Sequence, residues 1–161
     1  MTDGTTAIPE VQALLRVFAT GRDVAEMGTA YGDSAAAMAE TARSVVTVEL
    51  DPERAAIARE RLAGTPNVEL LEGDVFERLD GQGPFGLVFV HGGLRPVTEE
   101  KWEAILALVE PGGILVKDDM APGRPVDGDE VREFLLRDPC LVGAEILASP
   151  EMAVIVSVRT G

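Results

Sequence analysis

Three places in this 161-residue chain carry side chains able to do chemistry, and each closes a run of apolar residues. The first is Glu26, in Val24-Ala25-Glu26-Met27-Gly28-Thr29-Ala30-Tyr31-Gly32-Asp33-Ser34. Gly28 and Gly32 lack a Cβ, so the backbone there can come close to a ligand. A carboxylate beside such a turn repels a pyrophosphate and favours a cationic ligand that carries no phosphate. The second is His91, the only histidine, directly after Phe85-Gly86-Leu87-Val88-Phe89-Val90. An imidazole titrates near neutrality, so His91 is a candidate general base. It is also a candidate metal ligand, or a side chain that packs and bonds a neighbour. The third is Asp118-Asp119 after Ile114-Leu115-Val116-Lys117. Lys117 would pair with a carboxylate of that acidic couple.

Positioning these residues together requires strands whose ends meet. Apolar runs at 23–27, 45–50, 68–71, 85–90 and 114–116 read as strands, nearly without polar interruption, as expected when both faces are covered. Between them lie helical patterns at 9–19, 34–42, 52–62, 75–79 and 97–109, with a last helix from 128 or 129 to 137. Pro9 and Pro52 suit first helical turns, and Asp51 suits a cap. Residues 141–148 and 152–159 form a closing pair joined too briefly for a crossover, and so antiparallel. The alternation predicts an α/β fold: a single Rossmann-like, doubly wound sheet of about seven strands, mostly parallel with an antiparallel C-terminal strand. One domain covers residues 1–161, with 1–8 expected to be disordered. In open sheets of this kind, ligands bind beyond the carboxyl ends of the strands.

Composition excludes several partners. Fourteen Lys and Arg against 28 Asp and Glu leave a net charge of −14, with no basic patch for a phosphate backbone or an anionic membrane. Cys140, the single cysteine, sits in an apolar setting and reads as a small buried hydrophobe. No run reaches membrane-spanning length. Met1-Thr2-Asp3-Gly4 has no basic or apolar leader pattern, so a cytoplasmic location is expected.

The turn sequences, in order, are 24–34, Val48-Glu49-Leu50-Asp51-Pro52, Glu72-Gly73-Asp74, Leu87-Val88-Phe89-Val90-His91-Gly92-Gly93 and 111–119. Together they resemble the class I S-adenosylmethionine-dependent methyltransferases, and among these the small O-methyltransferases of the catechol and caffeoyl-CoA type. S-Adenosylmethionine, a sulfonium with an amino group and no phosphate, meets the requirement set by Glu26. The resemblance implies that Glu26 and the turn Gly28, Thr29, Ala30, Tyr31 and Gly32 receive the amino-acid end of the cofactor. Ser34 would offer its hydroxyl and a helix N-terminus to the cofactor carboxylate. Glu49, beside Leu50, would take both ribose hydroxyls, as an acceptor-only carboxylate can. Asp74 would read the adenine amino group, with Gly73, Val75 and His91 nearby. Each residue also has a plainer reading: Glu26 and Glu49 as solvated strand-end carboxylates, Asp74 as a helix cap, the glycines as turn formers.

The resemblance is incomplete at the divalent-cation site of the catechol type. There, an Asp ends the fourth strand and an Asp-Asn pair ends the fifth. Here the candidates are His91, Asp118 and Asp119. Imidazole in place of a carboxylate weakens a magnesium site, though a softer ion accepts one His and two carboxylates. The expectation is therefore methyl transfer to a small-molecule acceptor, through an oxygen nucleophile, with His91 and Asp118 as catalytic candidates. A nicotinamide-dependent oxidoreductase and a non-catalytic S-adenosylmethionine-binding domain are the rivals. Arg95 and Arg124 could contact an anionic acceptor, and a homodimer is a further partner to consider.

Overall fold

A computed structural model describes residues 6–161. Its elements run α1 (Pro9–Ala19), β1 (Asp23–Met27), α2 (Asp33–Ala39), β2 (Ser44–Glu49), α3 (Pro52–Leu62), β3 (Val68–Glu72) and α4 (Val75–Arg78). They continue with β4 (Phe85–Val90), α5 (Glu99–Leu108), β5 (Val109–Met120), α6 (Glu130–Arg137), β6 (Leu141–Ser149) and β7 (Met152–Arg159). The seven strands form one sheet in the order β3-β2-β1-β4-β5-β7-β6. β1 to β5 are parallel, and β7 runs antiparallel between β5 and β6. The expected doubly wound sheet is therefore present, with its antiparallel C-terminal strand.

Two hydrophobic cores lie on opposite faces, because alternate residues of a strand point to opposite sides. Val24, Val45, Leu87, Phe89 and Val116 pack with Val11 and Leu15 of α1, Met38 of α2 and Leu62 of α3. Ala25, Met27, Val48, Val88 and Leu115 pack with Val75 of α4, Trp102 and Ile105 of α5, and Leu135 of α6. β4 is buried along its whole length, as its unbroken apolar run requires. The strand order turns back between β1 and β4, so the ends of those two strands flank the crevice where such sheets bind ligands.

Several boundaries differ from those read in the sequence. β5 begins at Val109 and runs to Met120 instead of spanning 114–116. Pro111-Gly112-Gly113 is absorbed as an irregularity, with Val109 paired to Phe85 before the register shifts. α2 ends at Ala39, short of 42. In the stretch expected to be disordered, 1–5 lie outside the described residues, while Ala7 is buried and its carbonyl accepts from Gln12 Nε2 at 2.7 Å. Cys140 is half-buried, not buried. Among the described residues, no helix is long and apolar enough to cross a membrane.

Candidate active site

The β1–α2 turn is held by backbone conformations that only a few residue types accept. Gly28 has φ +92°, and a Cβ there would stand 2.9 Å from the Gly92 nitrogen. The Met27 carbonyl accepts from both His91 N and Gly92 N, at 3.1 and 2.7 Å, which brings the ends of β1 and β4 together. Ala30 lies in the left-handed region at φ +50°. Glu49 holds it there: its Oε2 accepts from Ala30 N at 2.7 Å, and its Oε1 accepts from Asp51 N at 3.0 Å.

These turns enclose a cleft of about 480 Å³ at the carboxyl end of the sheet. Gly28, Ala30, Glu49, Leu50, Gly73, Asp74, Val75 and His91 line it, so these predicted cofactor residues converge. Leu50 is 70% exposed, an apolar side chain open at the cleft. Asp74 caps α4 through Oδ1, which accepts from Phe76 N and Glu77 N. The plainer reading of that residue is thus true of one oxygen, while the side chain still borders the cleft.

Glu26, Thr29, Tyr31, Gly32 and Ser34, also expected at the cofactor, do not line the cleft. Glu26 is fully buried; Ser34 Oγ donates to its Oε1 and Thr47 Oγ1 to its Oε2. The Ser34 hydroxyl is therefore spent inside the protein. Burial pushes the Glu26 carboxyl up to about 7, against the opposing hydrogen bonds from Ser34 and Thr47. Thr29 is buried and bonded to Thr47 at 2.6 Å. Gly32 begins α2 in the left-handed region, and a Cβ on it would press on Leu62. The cause is register: Glu26 lies beside Thr47 of β2, on the face covered by α2. Thr47, the one polar residue inside an apolar strand, was the available signal. Sequence reading did not place Asp51, the N-cap of α3, or Arg54 in its first turn on the cleft wall.

At the far end of the cleft, His91 Nδ1 meets Asp118 Oδ2 at 2.9 Å and Oδ1 at 3.0 Å. Phe89–His91 and Val116–Asp118 each step two residues along adjacent strands, which puts both side chains on one face. An ionised carboxylate only accepts, so Nδ1 carries the proton. His91 Nε2 is buried with no hydrogen-bond partner among the described residues. Burial pulls the imidazole down, but the hydrogen bond and charge of Asp118, with the charges of Glu26 and Asp119, outweigh it and raise it. Asp119 adopts φ +56°, where β5 departs from its pairing with β7. Burial, then the neighbouring Asp118, raise its carboxyl. Lys117 pairs as expected: its Nζ donates to the Asp118 carbonyl at 2.6 Å and lies 3.8 Å from Asp118 Oδ1.

His91, Asp118 and Asp119 bring one ligand atom each within 4.8 Å of one another. The set does not fit a magnesium ion. His91 and Asp118 are spent on each other, and the Lys117 ammonium lies 3.8 Å from the buried carboxylate. A hard dication prefers an all-oxygen shell and would be repelled by that ammonium.

The sequence profile of a family described as a methyltransferase domain matches residues 25–120, the span from β1 to the end of β5. The chain belongs to this methyltransferase family. The class I resemblance read from its turns is borne out. The protein-L-isoaspartate O-methyltransferase of Rhodopseudomonas palustris (strain BisB5) is 35% identical over 119 residues, 73% of this methyltransferase-family chain and 50% of that protein. This chain thus spans about half the length of that curated relative. The O-methyltransferase TomG of Streptomyces achromogenes, solved with SAM, is 26% identical at a TM-score of 0.75, covering 100% of this chain and 84% of TomG. Cofactor-bound Rv0187 from MTB superposes with a TM-score of 0.80 at 24% identity, covering 96% of this chain and 81% of that one.

Proposed function

We propose that this protein is an S-adenosylmethionine-dependent methyltransferase acting on an oxygen of a small molecule, with His91 as general base. The observation that carries this reading is His91, a residue that borders both the 480 Å³ cleft and a second cavity beyond it, and whose buried Nε2 has no hydrogen-bond partner among the described residues.

The residues of the cleft suit the cofactor. Glu49 offers its remaining lone pairs to ribose hydroxyls, and Asp74 offers the oxygen not used in capping to an adenine amino group. Leu50 and Val75 supply apolar surface for the ring. With Ser34 and Glu26 paired internally, Gly28 and the His91–Gly92 backbone are left to meet the amino-acid end. The carboxylates of Glu26, Asp118 and Asp119 all act on His91, and the same negative field favours a cationic guest. When bound, the cofactor supplies an electrophilic methyl group on a positively charged sulfur.

The chain's own work is alignment and proton removal. Asp118 fixes the imidazole with Nδ1–H toward itself, leaving the Nε2 lone pair without a hydrogen-bond partner among the described residues. That lone pair takes the proton of the acceptor hydroxyl as that oxygen becomes the nucleophile. A positioned base contributes about 10²–10⁴-fold, and good alignment up to about 7–11 kcal/mol.

Calorimetry with S-adenosylmethionine and with NAD tests the cofactor, and a methyl-donor turnover screen over phenols, catechols and carboxylates tests the acceptor. S-Adenosylmethionine is expected to bind and NAD not to bind. His91→Ala should then abolish most turnover of a hydroxyl acceptor while retaining cofactor binding. NAD binding without S-adenosylmethionine binding refutes the reading, and unchanged turnover in His91→Ala removes the residue from the mechanism.

A further inference from the structure

A second cavity, of about 290 Å³, opens on the other side of His91. It shares His91, Gly92 and Gly93 with the cleft, so the two spaces meet at this segment. Leu94, Met120 and Val131 give it an apolar lining, while Lys117, Asp119 and Arg95 supply charge. Arg95 also belongs to an adjoining hollow that contains Arg124.

The two arginines stand apart from the other cations. Of the 14 Lys and Arg in the chain, Arg95 and Arg124 alone make neither an ion pair nor a side-chain hydrogen bond among the described residues. That is unexpected in a chain with twice as many acids as bases. The nearby acids do not account for it. Asp129 is taken by Arg132 at 2.6 Å and Asp127 by Arg137 at 2.6 Å, leaving the exposed Glu130 unpaired on the same rim. Arg95 also acts electrostatically on Lys117, whose own counter-charges are Asp118 and Asp119. Asp119 lies at the inner end, its Oδ2 3.9 Å from His91 Nδ1. The cavity is therefore polarised, with a proton-accepting inner end and a cationic outer end.

Resting on the methyltransferase reading, we propose that this cavity holds the acceptor and that the acceptor carries an anionic group, a carboxylate or a phosphate. Arg95 and Arg124 bind that group at the rim, while the oxygen to be methylated lies at His91. Charge-assisted hydrogen bonds from guanidinium groups supply the affinity, and the apolar lining takes the body of the molecule.

The test is calorimetric titration of the full chain with 4-cresol, 4-hydroxybenzoate and 4-hydroxyphenyl phosphate, with and without S-adenosylhomocysteine. At least one anion is expected to bind about tenfold more tightly than 4-cresol, and the ranking of the two separates carboxylate from phosphate. R95E/R124E should remove that preference, and R95Q/R124Q should reduce it. Added NaCl should weaken the anion and leave 4-cresol little changed, since exposed charge pairs are screened. Equal or weaker binding of both anions by the wild type overturns the proposal, as does a preference that survives in R95E/R124E. Circular dichroism checks the charge-reversal variant, and if it is misfolded R95Q/R124Q decides by the same criterion. Failure of the underlying methyltransferase reading shows separately, as absence of heat with S-adenosylmethionine.

Discussion

Asp118→Asn tests the His91–Asp118 pair directly. The carboxylate is fully buried, contacts Nδ1 through both oxygens at 2.9 and 3.0 Å, and is the strongest attraction offsetting the burial of the imidazole. Asparagine keeps the shape and one acceptor but loses the charge. A hydrogen bond between charged groups contributes about 1.5–3 kcal/mol, so protonation of His91 becomes harder by about that amount. The imidazole should then titrate below its ordinary value, because burial is no longer outweighed. His91 is the only histidine, so one ring C–H resonance followed by NMR across pH reads this without assignment. Stability gives a second reading. A raised folded-state pKa contributes stability that is fully present below the unfolded value of 6.5 and is lost as pH rises through the folded value. Urea unfolding should thus show Asp118→Asn at its greatest disadvantage, about 1.5–3 kcal/mol, near pH 5.5, and a smaller one at pH 8.5. A histidine resonance that titrates as in the wild type, or a stability deficit that does not change with pH, refutes the reasoning.

Glu26→Gln should flatten a second slope. The folded carboxyl at about 7, against 4.5 when unfolded, lends stability below pH 4.5 that disappears as pH rises to 7. Unfolding measured across that window should fall by about 3 kcal/mol in the wild type from this group and not in the variant. Gly28→Ala should cost about 1–3 kcal/mol in urea unfolding from positive φ alone, and more from the 2.9 Å approach to Gly92 N; a cost under 0.5 kcal/mol would show that the turn relaxes. Arg132→Met should cost about 3 kcal/mol. The guanidinium is 1% exposed and joins Asp129, Glu145 and the Ala121 carbonyl, so proteolysis of the loop after β5 should also quicken.

Much of the fold was legible because parallel strands buried on both faces are written as apolar runs closed by Gly or acid. β1, β4 and β7 have the bounds expected from such runs. β5 was not legible in full, since Pro111-Gly112-Gly113 reads as a stop when only local conformation is considered, and its pairing with β4 decides otherwise. At the site, the strand-end positions of Glu49, Asp74 and His91 were readable, but Glu26 was not. Its burial depends on Thr47, 21 residues away, and on which face α2 covers. Arg132 was likewise illegible, because its partner Glu145 lies on β6, beyond any helical spacing.

The junction of Gly28 with Gly92 has a mechanical consequence. Two backbones touch there with no side chain between them, and one carbonyl clamps both amides that follow β4. A displacement of the His91–Gly93 segment would therefore bear directly on the Gly28 turn, with no side chain between them to absorb it. His91–Gly93 borders both cavities, so what separates them there is main chain braced by the Met27 carbonyl.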